Sequence, residues 1–339
     1  MPEFKKVAVF GSGQVSRSIV NALAQCHKQE FHVIQVLPPW HQPPDGQNEN
    51  SINSSDSRKV ETYYLDVTRA SQAELVPLLT GVDAVVSTLE GAALRAQRAI
   101  QDAAAVTGVK RFYPSEFGMH HIYNKPGDDL GYLHPIWNHK RLANESVVKH
   151  PAILSGAMTY TLIGCGELYN QDREPVWCPW TRTDVPIFEF PVVGGIKHAV
   201  DFTHTDDLAA FVVETLCSER SGLANNAMLN FVSDRISYDT IARLLERYAR
   251  KPVRFVHFPE EEWHRMMENP AVVPEWHKTW LSRTAFPLDF RLLVRGIQGQ
   301  GRFTYAPGQV HNHLFPDVKV TTFEKYLSQK FASEDSRMR

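Results

Sequence analysis

The stretch Lys6-Val7-Ala8-Val9-Phe10-Gly11-Ser12-Gly13 decides how the rest of the chain is interpreted. Its apolar run predicts a β-strand, and the two glycines that follow predict a tight turn. Apolar residues then recur at helical spacing, at positions 19, 20, 23 and 24. A strand, a glycine turn and a helix in this order predict the first unit of a parallel α/β sheet.

Strands and helices continue to alternate through the first half of the chain. The patterns predict strands over Phe31–Leu37, Val60–Leu65 and Val82–Ser87, and helices over Ser71–Leu79 and Ala92–Val106. This alternation is typical of a doubly wound parallel sheet with right-handed crossovers, a Rossmann-type α/β fold. Residues 38–59 contain four prolines and many Asn, Ser and Gln residues, which predicts a long loop.

Composition excludes several classes of function. The chain has 339 residues, 43% of them hydrophobic and 22% charged, with a net charge of −2. Binders of nucleic acid usually show a basic face, so we expect no nucleic-acid partner. Four cysteines stand far apart without a Cys-x-x-Cys pair, which indicates neither a zinc site nor a disulfide framework. No apolar run approaches the roughly 18 residues of a membrane span, and no leader pattern precedes the first strand, so we expect a soluble, cytoplasmic protein.

The glycine turn has two interpretations. Gly11-Ser12-Gly13-Gln14-Val15-Ser16 has the form G-x-G-x-x-S, so a small serine replaces the third glycine of the dinucleotide fingerprint. Free amides and the helix dipole over Gly13 to Arg17 suit a pyrophosphate. A tight structural turn without a ligand would give the same pattern. The position of the turn, after an amino-terminal strand and before a helix, favours dinucleotide binding.

The end of the second predicted strand bears on the choice between NAD and NADP(H). An acidic residue there would bind the ribose 2′-hydroxyl, whereas an arginine would accommodate a 2′-phosphate. Pro38-Pro39 offers neither group. Arg17, His41, Arg58 and Lys59 could supply positive charge to a 2′-phosphate, and the lack of an acid favours NADP(H).

A second informative segment is Gly108-Val109-Lys110-Arg111-Phe112-Tyr113-Pro114-Ser115-Glu116-Phe117-Gly118, an apolar run followed by polar groups. Such groups lie at a strand's carboxyl end, where open α/β sheets bind ligands. The segment resembles the one after the fifth strand of isoflavone-reductase-like enzymes. Other blocks resemble that family in the same order: Gly81–Ser87 with Gln97, Met158–Ile163, His257–Glu261 and Leu314–Thr322. From Lys6 to about Leu327, the chain is similar to the NmrA-like, isoflavone-reductase-like group of atypical short-chain dehydrogenases.

The resemblance implies NADPH-dependent reduction of a small aromatic molecule, with one catalytic lysine. The matching position is Lys140, and Ile136 stands where ordinary short-chain dehydrogenases carry tyrosine. An ammonium beside an oxidised, cationic nicotinamide loses its proton more readily, so the lysine can act as general acid or base. An ordinary solvated helix lysine beside Arg141 is the alternative.

Two sets of candidate site residues follow from the strand ends and the resemblance. The cofactor set contains the glycine turn, the ends of the fourth and fifth strands and the lysine: Gly11, Ser12, Gly13, Gln14, Val15, Arg17, Ser87, Thr88, Leu89, Pro114, Ser115, Glu116 and Lys140. The substrate set is rich in aromatic and imidazole groups, which suit a flat ligand: Phe117, Met119, His120, Trp137, Cys165 and Tyr169. The nearby histidines lack the i, i+4 spacing of a helical zinc pair, so we expect no metal.

We expect residues 1–170 to form a Rossmann lobe that binds NAD(P) and residues 171–339 to form mainly a smaller α/β substrate-binding lobe. Some later strands, such as Ala227 to Val232, would return to the first sheet. The step His204-Thr205-Asp206-Asp207 precedes a helix, for which Thr205 or Asp206 would be the N-cap. The sequence does not determine an oligomeric state.

Three functions compete at this stage. The first is an NADPH-dependent reductase of a small aromatic or heterocyclic compound of specialised metabolism, with Lys140 handling the proton. The second keeps the fold but catalyses a redox-neutral or transiently redox-mediated isomerisation, dehydration or cyclisation, for example of the Diels–Alder type. The third is a regulatory protein that senses NADP without catalysis.

Overall fold

The computed structural model describes residues 4–42, 60–119, 134–172, 174, 176–217, 219–273, 275 and 286–337. The chain forms two compact units. Unit 1 consists of Met1–Gly164, Leu208–Phe231 and Val310–Val318, and unit 2 consists of Cys165–Asp207, Val232–Gln309 and Lys319–Arg339. Both units are therefore assembled from stretches that are separate in sequence.

The strands and helices of the described residues are numbered in chain order. The strands are β1 Lys6–Phe10, β2 His32–Leu37, β3 Val60–Tyr64, β4 Ala84–Ser87, β5 Arg111–Tyr113, β6 Thr159–Cys165, β7 Glu167–Leu168, β8 Phe188–Val193, β9 Ala199–Thr203, β10 Ala227–Phe231, β11 Asp234–Ser237 and β12 Val253–Phe258. The helices are α1 Gln14–Ala24, α2 Gln72–Leu79, α3 Gln97–Val106, α4 Pro135–Val148, α5 Pro151–Leu154, α6 Thr205–Cys217, α7 Tyr238–Ala249, α8 Glu260–Glu268, α9 Leu288–Gly299 and α10 Phe323–Arg337.

Unit 1 is built on a seven-stranded sheet, counted over the described residues, with the order β10-β6-β5-β4-β1-β2-β3. The pairs β1–β2, β1–β4, β2–β3, β4–β5 and β5–β6 are all parallel. The predicted Rossmann-type α/β fold is confirmed, and strand order reverses beside β1. β10 joins this sheet from a stretch that follows part of unit 2 in sequence.

The helices of unit 1 form where the sequence supplies an apolar face and a start signal. α1 buries Ile19, Val20 and Leu23 on one side. α2 begins with a capping box, in which the Ser71 backbone N–H donates to Glu74 Oε2 at 2.9 Å. The helix predicted over residues 92–106 begins as a 3₁₀ turn at Gly91–Ala96 and becomes α-helical at Gln97.

A buried arginine ties β5 to the returning stretch of unit 1. Arg111 is 1% exposed, and its guanidinium lies 4.6 Å from the centre of the Phe4 ring. It donates to the carbonyls of Thr215 at 2.6 Å and Ser221 at 3.0 Å, and also to the Asn225 side chain. These acceptors satisfy a charge that would otherwise be costly to bury.

Unit 2 contains a three-stranded sheet, β11-β9-β7, and a two-stranded parallel sheet, β12-β8, among its described residues. Asp201 on β9 is fully buried and accepts hydrogen bonds from Arg235 Nε at 2.6 Å and Nη2 at 3.0 Å. The Tyr305 backbone N–H adds a third at 2.7 Å. On α9, Gly296 lies against Trp263, whose ring an added Cβ would meet at 2.0 Å.

The predicted N-cap of α6 is wrong. The helix begins at Thr205, so neither Thr205 nor Asp206 precedes it. The Asn170 side-chain oxygen accepts from the Thr205 N–H at 2.9 Å, and His204 Nδ1 accepts from the Asp206 N–H at 3.3 Å. The side chain of the preceding residue, His204, and the distant side chain of Asn170 therefore satisfy these two amides.

Two further expectations concern loops and membranes. Residues 39–41 of the predicted loop form a 3₁₀ turn, and positions 43–59 lie outside the described residues. Among the helices that the structure describes, none is long and apolar enough to cross a bilayer.

Candidate functional site

The glycine turn after β1 is packed against the end of β4. Gly11 has φ +130°, and an added Cβ would lie 2.2 Å from Thr88 Oγ1 and 3.0 Å from the Thr88 carbonyl oxygen. The Thr88 N–H and hydroxyl both donate to the Phe10 carbonyl, at 2.8 and 3.0 Å. Glycine is needed at position 11 for both its backbone angle and this close approach.

The second glycine of the turn faces open space. Gly13 is the N-cap of α1, no side chain caps this helix end, and no acidic residue lies in the first turn. An added Cβ on Gly13 would meet nothing within 4 Å. A helix start that is uncapped by side chains, free of negative charge and open to space suits an anionic group such as a phosphate.

Ser16 and Arg17 hold the turn together. Ser16 is fully buried, and its hydroxyl donates to the Gly11 carbonyl at 2.7 Å. Arg17 Nη1 donates to the Ser12 carbonyl at 3.2 Å. The serine that replaces the third fingerprint glycine thus bonds within the turn and keeps it closed.

The ends of β4 and β5 are joined by hydrogen bonds. The Ser115 hydroxyl donates to the Leu89 carbonyl at 2.7 Å, and the Ser115 N–H donates to Gln97 Oε1 at 2.7 Å. Ser87, the last residue of β4, has a buried hydroxyl without a hydrogen-bond partner among the described residues. Leu89 and Pro114 are buried beside these groups in sequence.

Lys140 lies at the carboxyl end of β5. Its Nζ donates to the backbone carbonyl of Glu116 at 2.9 Å, and the side chain is half-buried. Phe117 has φ +41°, a left-handed conformation, and its N–H donates to the Ile163 carbonyl of β6 at 2.9 Å. This bend after β5 places the carbonyl of residue 116 within reach of the lysine.

One face of α4 carries the lysine and its neighbours. Trp137, Lys140 and Asn144 are three and four residues apart, so they share a face. Trp137 and Asn144 are buried, and Asn144 Nδ2 donates to Glu116 Oε2 at 2.5 Å. Glu116 is 3% exposed. Its backbone carbonyl accepts from Lys140, and its carboxylate accepts from Asn144.

The histidine at the start of α4 is a helix cap. His134 Nδ1 accepts from the Ile136 N–H at 3.2 Å, and its ring lies edge-on to Trp137 with centroids 6.4 Å apart. No cluster of three or more potential metal ligands occurs among the residues that were searched, which are the described ones.

The substrate set is distributed between the two units. In unit 1, Phe117 is half-buried, and Met119 and Trp137 are buried; His120 lies outside the described residues. In unit 2, Cys165 and Tyr169 are fully buried. Contact of these side chains with a substrate stays a prediction.

Tyr169 is part of an aromatic cluster. Its ring stacks on Phe323 with centroids 4.3 Å apart, and its hydroxyl donates to the Thr321 carbonyl at 2.5 Å. Burial raises the pKa of this phenol far above its ordinary value. The hydroxyl therefore stays protonated and donates within unit 2.

The residues predicted to bind a 2′-phosphate are only partly described. Arg17 bonds within the turn, and His41 is exposed in the 3₁₀ turn after β2, beside the 75%-exposed Trp40. Arg58 and Lys59 lie outside the described residues.

Sequence reasoning assigned no site role to Gln97 or Asn144. Gln97 was noted only within the family resemblance, yet its amide holds the Ser115 N–H. The available signal for Asn144 was its position four residues after Lys140, the spacing that places two residues on one face of a helix. Three contacts in unit 1 follow the carboxyl ends of β1, β4 and β5. Gly11 packs against Thr88, Ser115 donates to the Leu89 carbonyl, and Lys140 donates to the Glu116 carbonyl.

Comparisons with known proteins give consistent matches. The sequence profile described as the NmrA-like family matches residues 3–327. Eugenol synthase 1 of Petunia hybrida is 24% identical over 97% of this chain and 99% of its own length. The isoflavone reductase homolog IRL of Zea mays is 26% identical over 96% of this chain and 97% of its own length. The leucoanthocyanidin reductase of Vitis vinifera, solved as a binary complex with NADPH, has a TM-score of 0.67 at 17% identity and covers 96% and 99% of the two chains.

Proposed function

Because the chain belongs to the NmrA-like family, we propose that it is an NADPH-dependent oxidoreductase that reduces a small aromatic or heterocyclic compound. The observation that carries the proposal is the row of contacts from Gly11 through Thr88, Leu89 and Ser115 to Lys140. These contacts lie along the carboxyl ends of β1, β4 and β5, so the turn that would bind the phosphates and the lysine that would donate the proton share one edge of the sheet.

The residues present fit NADPH. Gly11 permits the close approach of the turn to β4, and the open space at Gly13 leaves room for a pyrophosphate at the uncapped start of α1. Because no acidic side chain ends β2, nothing there would repel a 2′-phosphate. When bound, NADPH would supply a hydride from C4 of its nicotinamide.

Lys140 is the residue that would handle the proton. The Glu116 carbonyl accepts one N–H of Lys140 Nζ at 2.9 Å, which fixes Nζ, and a bound ligand would accept from another of its N–H groups. Asn144 Nδ2 donates to the Glu116 carboxylate, so both the side chain and the backbone carbonyl of Glu116 are held by residues of α4. In the reductive direction, Lys140 would donate a proton to an oxygen of the substrate as the hydride arrives at carbon.

The nature of the substrate follows from the relatives and the side chains. Eugenol, isoflavones and leucoanthocyanidin, which appear in the names of relatives and a structural neighbour, are all aromatic. Phe117 and Trp137 lie on the two segments that meet at Lys140, and aromatic rings suit such ligands. We therefore assign a role in specialised metabolism, with residues up to about 170 binding the nucleotide and the later part of the chain mainly binding substrate.

Cofactor titration tests the first half of the proposal. Purified protein is titrated with NADPH, NADP⁺, NADH and NAD⁺ by calorimetry and by nicotinamide fluorescence. We expect micromolar binding of the phosphorylated pair and weaker binding of the other two. Tighter binding of NAD⁺ and NADH would refute the NADP(H) assignment, and no binding at millimolar concentration would refute the dependence on a nicotinamide cofactor.

Substitution of the lysine tests the second half. Lys140→Ala should retain NADPH binding and lose turnover by about 10²–10⁴-fold, the usual contribution of a general acid or base. Lys149→Ala, at the exposed end of the same helix, is the matched control and should leave turnover unchanged. A Lys140→Ala enzyme with normal turnover would refute the assigned role. Substrate conversion without net NADPH consumption would instead support the isomerase or cyclase alternative.

A further inference from the structure

A cavity lies on a different side of α4 from Lys140. It has a volume of about 580 Å³ and is formed by the 3₁₀ turn after β4, the start of α3 and the outer face of α4. Leu94 and Leu142 supply apolar surface, and Leu142 is 47% exposed although it is a large hydrophobic residue. A volume of this size suits a small molecule.

The cavity belongs to a separate face of the helix. With 3.6 residues per turn, the α4 positions that line it, among them His139 and Leu142, point roughly 130° away from the face shared by Lys140 and Asn144. A ligand in the cavity would therefore lie across the helix from the proton donor. It would not occupy the reduction site.

The charged side chains that line the cavity are two arginines. Arg95 and Arg98 line it, together with His139, and no carboxylate occurs among the described residues that line it. Arg98 Nε is paired with Asp102 at 3.0 Å, so its charge is partly compensated. Arg95 makes no ion pair with any residue that the structure describes, and its side chain is exposed to the cavity.

Gln97 links the cavity wall to the end of β5. Gln97 is 1% exposed and lines the cavity wall. Its Oε1 is used by the Ser115 N–H, but its Nε2 has no hydrogen-bond partner among the described residues.

We propose that this cavity is a binding site for a small organic anion with an apolar body, such as an aromatic carboxylate. The carboxylate pairs with Arg95 and Arg98. The apolar body lies against Leu94 and Leu142. The ligand contacts Gln97, whose Oε1 accepts a hydrogen bond from the Ser115 N–H. Ser115 directly precedes Glu116, whose carbonyl accepts from Lys140 Nζ.

The test uses trans-cinnamate as the probe and cinnamamide, which has a similar shape without the charge, as its control. Calorimetry on the full-length protein, with and without saturating NADPH, should show one cinnamate site and at least about tenfold weaker binding of the amide, as expected for loss of a charge-assisted contact. Arg95→Gln and Leu142→Glu should each weaken cinnamate binding by about tenfold or more. Both side chains are exposed, so both variants should fold.

Arg69→Gln is the matched control, since Arg69 is 89% exposed outside the cavity, and it should bind cinnamate like the wild type. Equal affinity for cinnamate and cinnamamide, no binding at millimolar concentration, or wild-type affinity in Arg95→Gln would each overturn the inference. Its failure is distinguishable from failure of the proposed function, because NADPH binding and the effect of Lys140→Ala are measured independently of cinnamate.

Discussion

Alanine at each of the two glycines of the turn should have opposite consequences for stability and cofactor binding. At Gly11, φ is +130° and the new Cβ would lie 2.2 Å from Thr88 Oγ1. Thr88 cannot move away freely, because its hydroxyl donates to the Phe10 carbonyl at 3.0 Å. At Gly13, φ is −68° and nothing lies within 4 Å of the new Cβ.

These geometries give the expected magnitudes. For Gly11→Ala, backbone strain of about 1–3 kcal/mol and overpacking of about 1–3 kcal/mol add to a loss of roughly 2–6 kcal/mol in the unfolding free energy. For Gly13→Ala, reduced freedom of the unfolded chain stabilises by about 0.4–1 kcal/mol, and alanine is a poorer N-cap than glycine by a similar amount. The net change in unfolding free energy should therefore stay within about 1 kcal/mol.

Cofactor binding should respond differently. The methyl group of Gly13→Ala would fill the open space that we assign to the pyrophosphate. Loss of one charge-assisted hydrogen bond costs about 1.5–3 kcal/mol, which corresponds to roughly 10- to 150-fold weaker NADPH binding. Urea unfolding measures the stability of both variants, and calorimetry measures NADPH affinity of Gly13→Ala. A Gly13→Ala protein that is stable and binds NADPH as tightly as the wild type would refute our placement of the pyrophosphate.

Three other substitutions test the packing and protonation of the two units by denaturant unfolding. Gly296→Ala should lower the unfolding free energy by about 1–3 kcal/mol despite the better helix propensity of alanine, because its Cβ would meet the Trp263 ring at 2.0 Å; a more stable variant would contradict this. Asp201→Asn should cost about 2–4 kcal/mol, because a fully buried carboxylate that accepts a bidentate arginine is lost; a loss below 1 kcal/mol would show that the pair contributes little. His311 Nδ1 accepts from the Asn230 N–H at 3.0 Å, and burial lowers the pKa of His311 from its ordinary value of 6.5. The unfolded chain therefore binds more protons than the folded protein, and the unfolding free energy falls as the pH decreases through this value. In His311→Asn this pH dependence should become flatter, and an unchanged slope would reject the assignment.

The sequence was most informative where local signals coincide. β1 spans Lys6–Phe10 as predicted, because the apolar run ends at Gly11. The backbone angle of Gly11 and its close packing against Thr88 both require glycine at that position. β2 ends at Leu37 and β4 ends at Ser87, as predicted. Parallel order followed from the alternation of strands and helices, which leaves few possible topologies.

The site was less predictable, because its contacts join residues far apart in sequence. Lys140 was found through the family resemblance, but its anchor on the Glu116 carbonyl depends on the left-handed turn at Phe117. No sequence pattern indicates that Ser16 would hydrogen-bond the Gly11 carbonyl. The N-cap of α6 was mispredicted at Thr205, because capping preferences are local. The helix already begins at Thr205, and the Thr205 N–H donates to the distant Asn170 side-chain oxygen.

The buried Arg111 of β5 has a consequence for how the protein folds during synthesis. Its carbonyl and amide acceptors lie 104 to 114 residues further along the chain. At roughly 5–20 residues per second, a ribosome needs about 5–25 seconds to add them after Arg111 has been incorporated. Until then the guanidinium lacks these acceptors, so this part of unit 1 cannot complete its native packing. A nascent chain should therefore keep this part of unit 1 open and available to chaperones until the returning stretch of unit 1 has emerged.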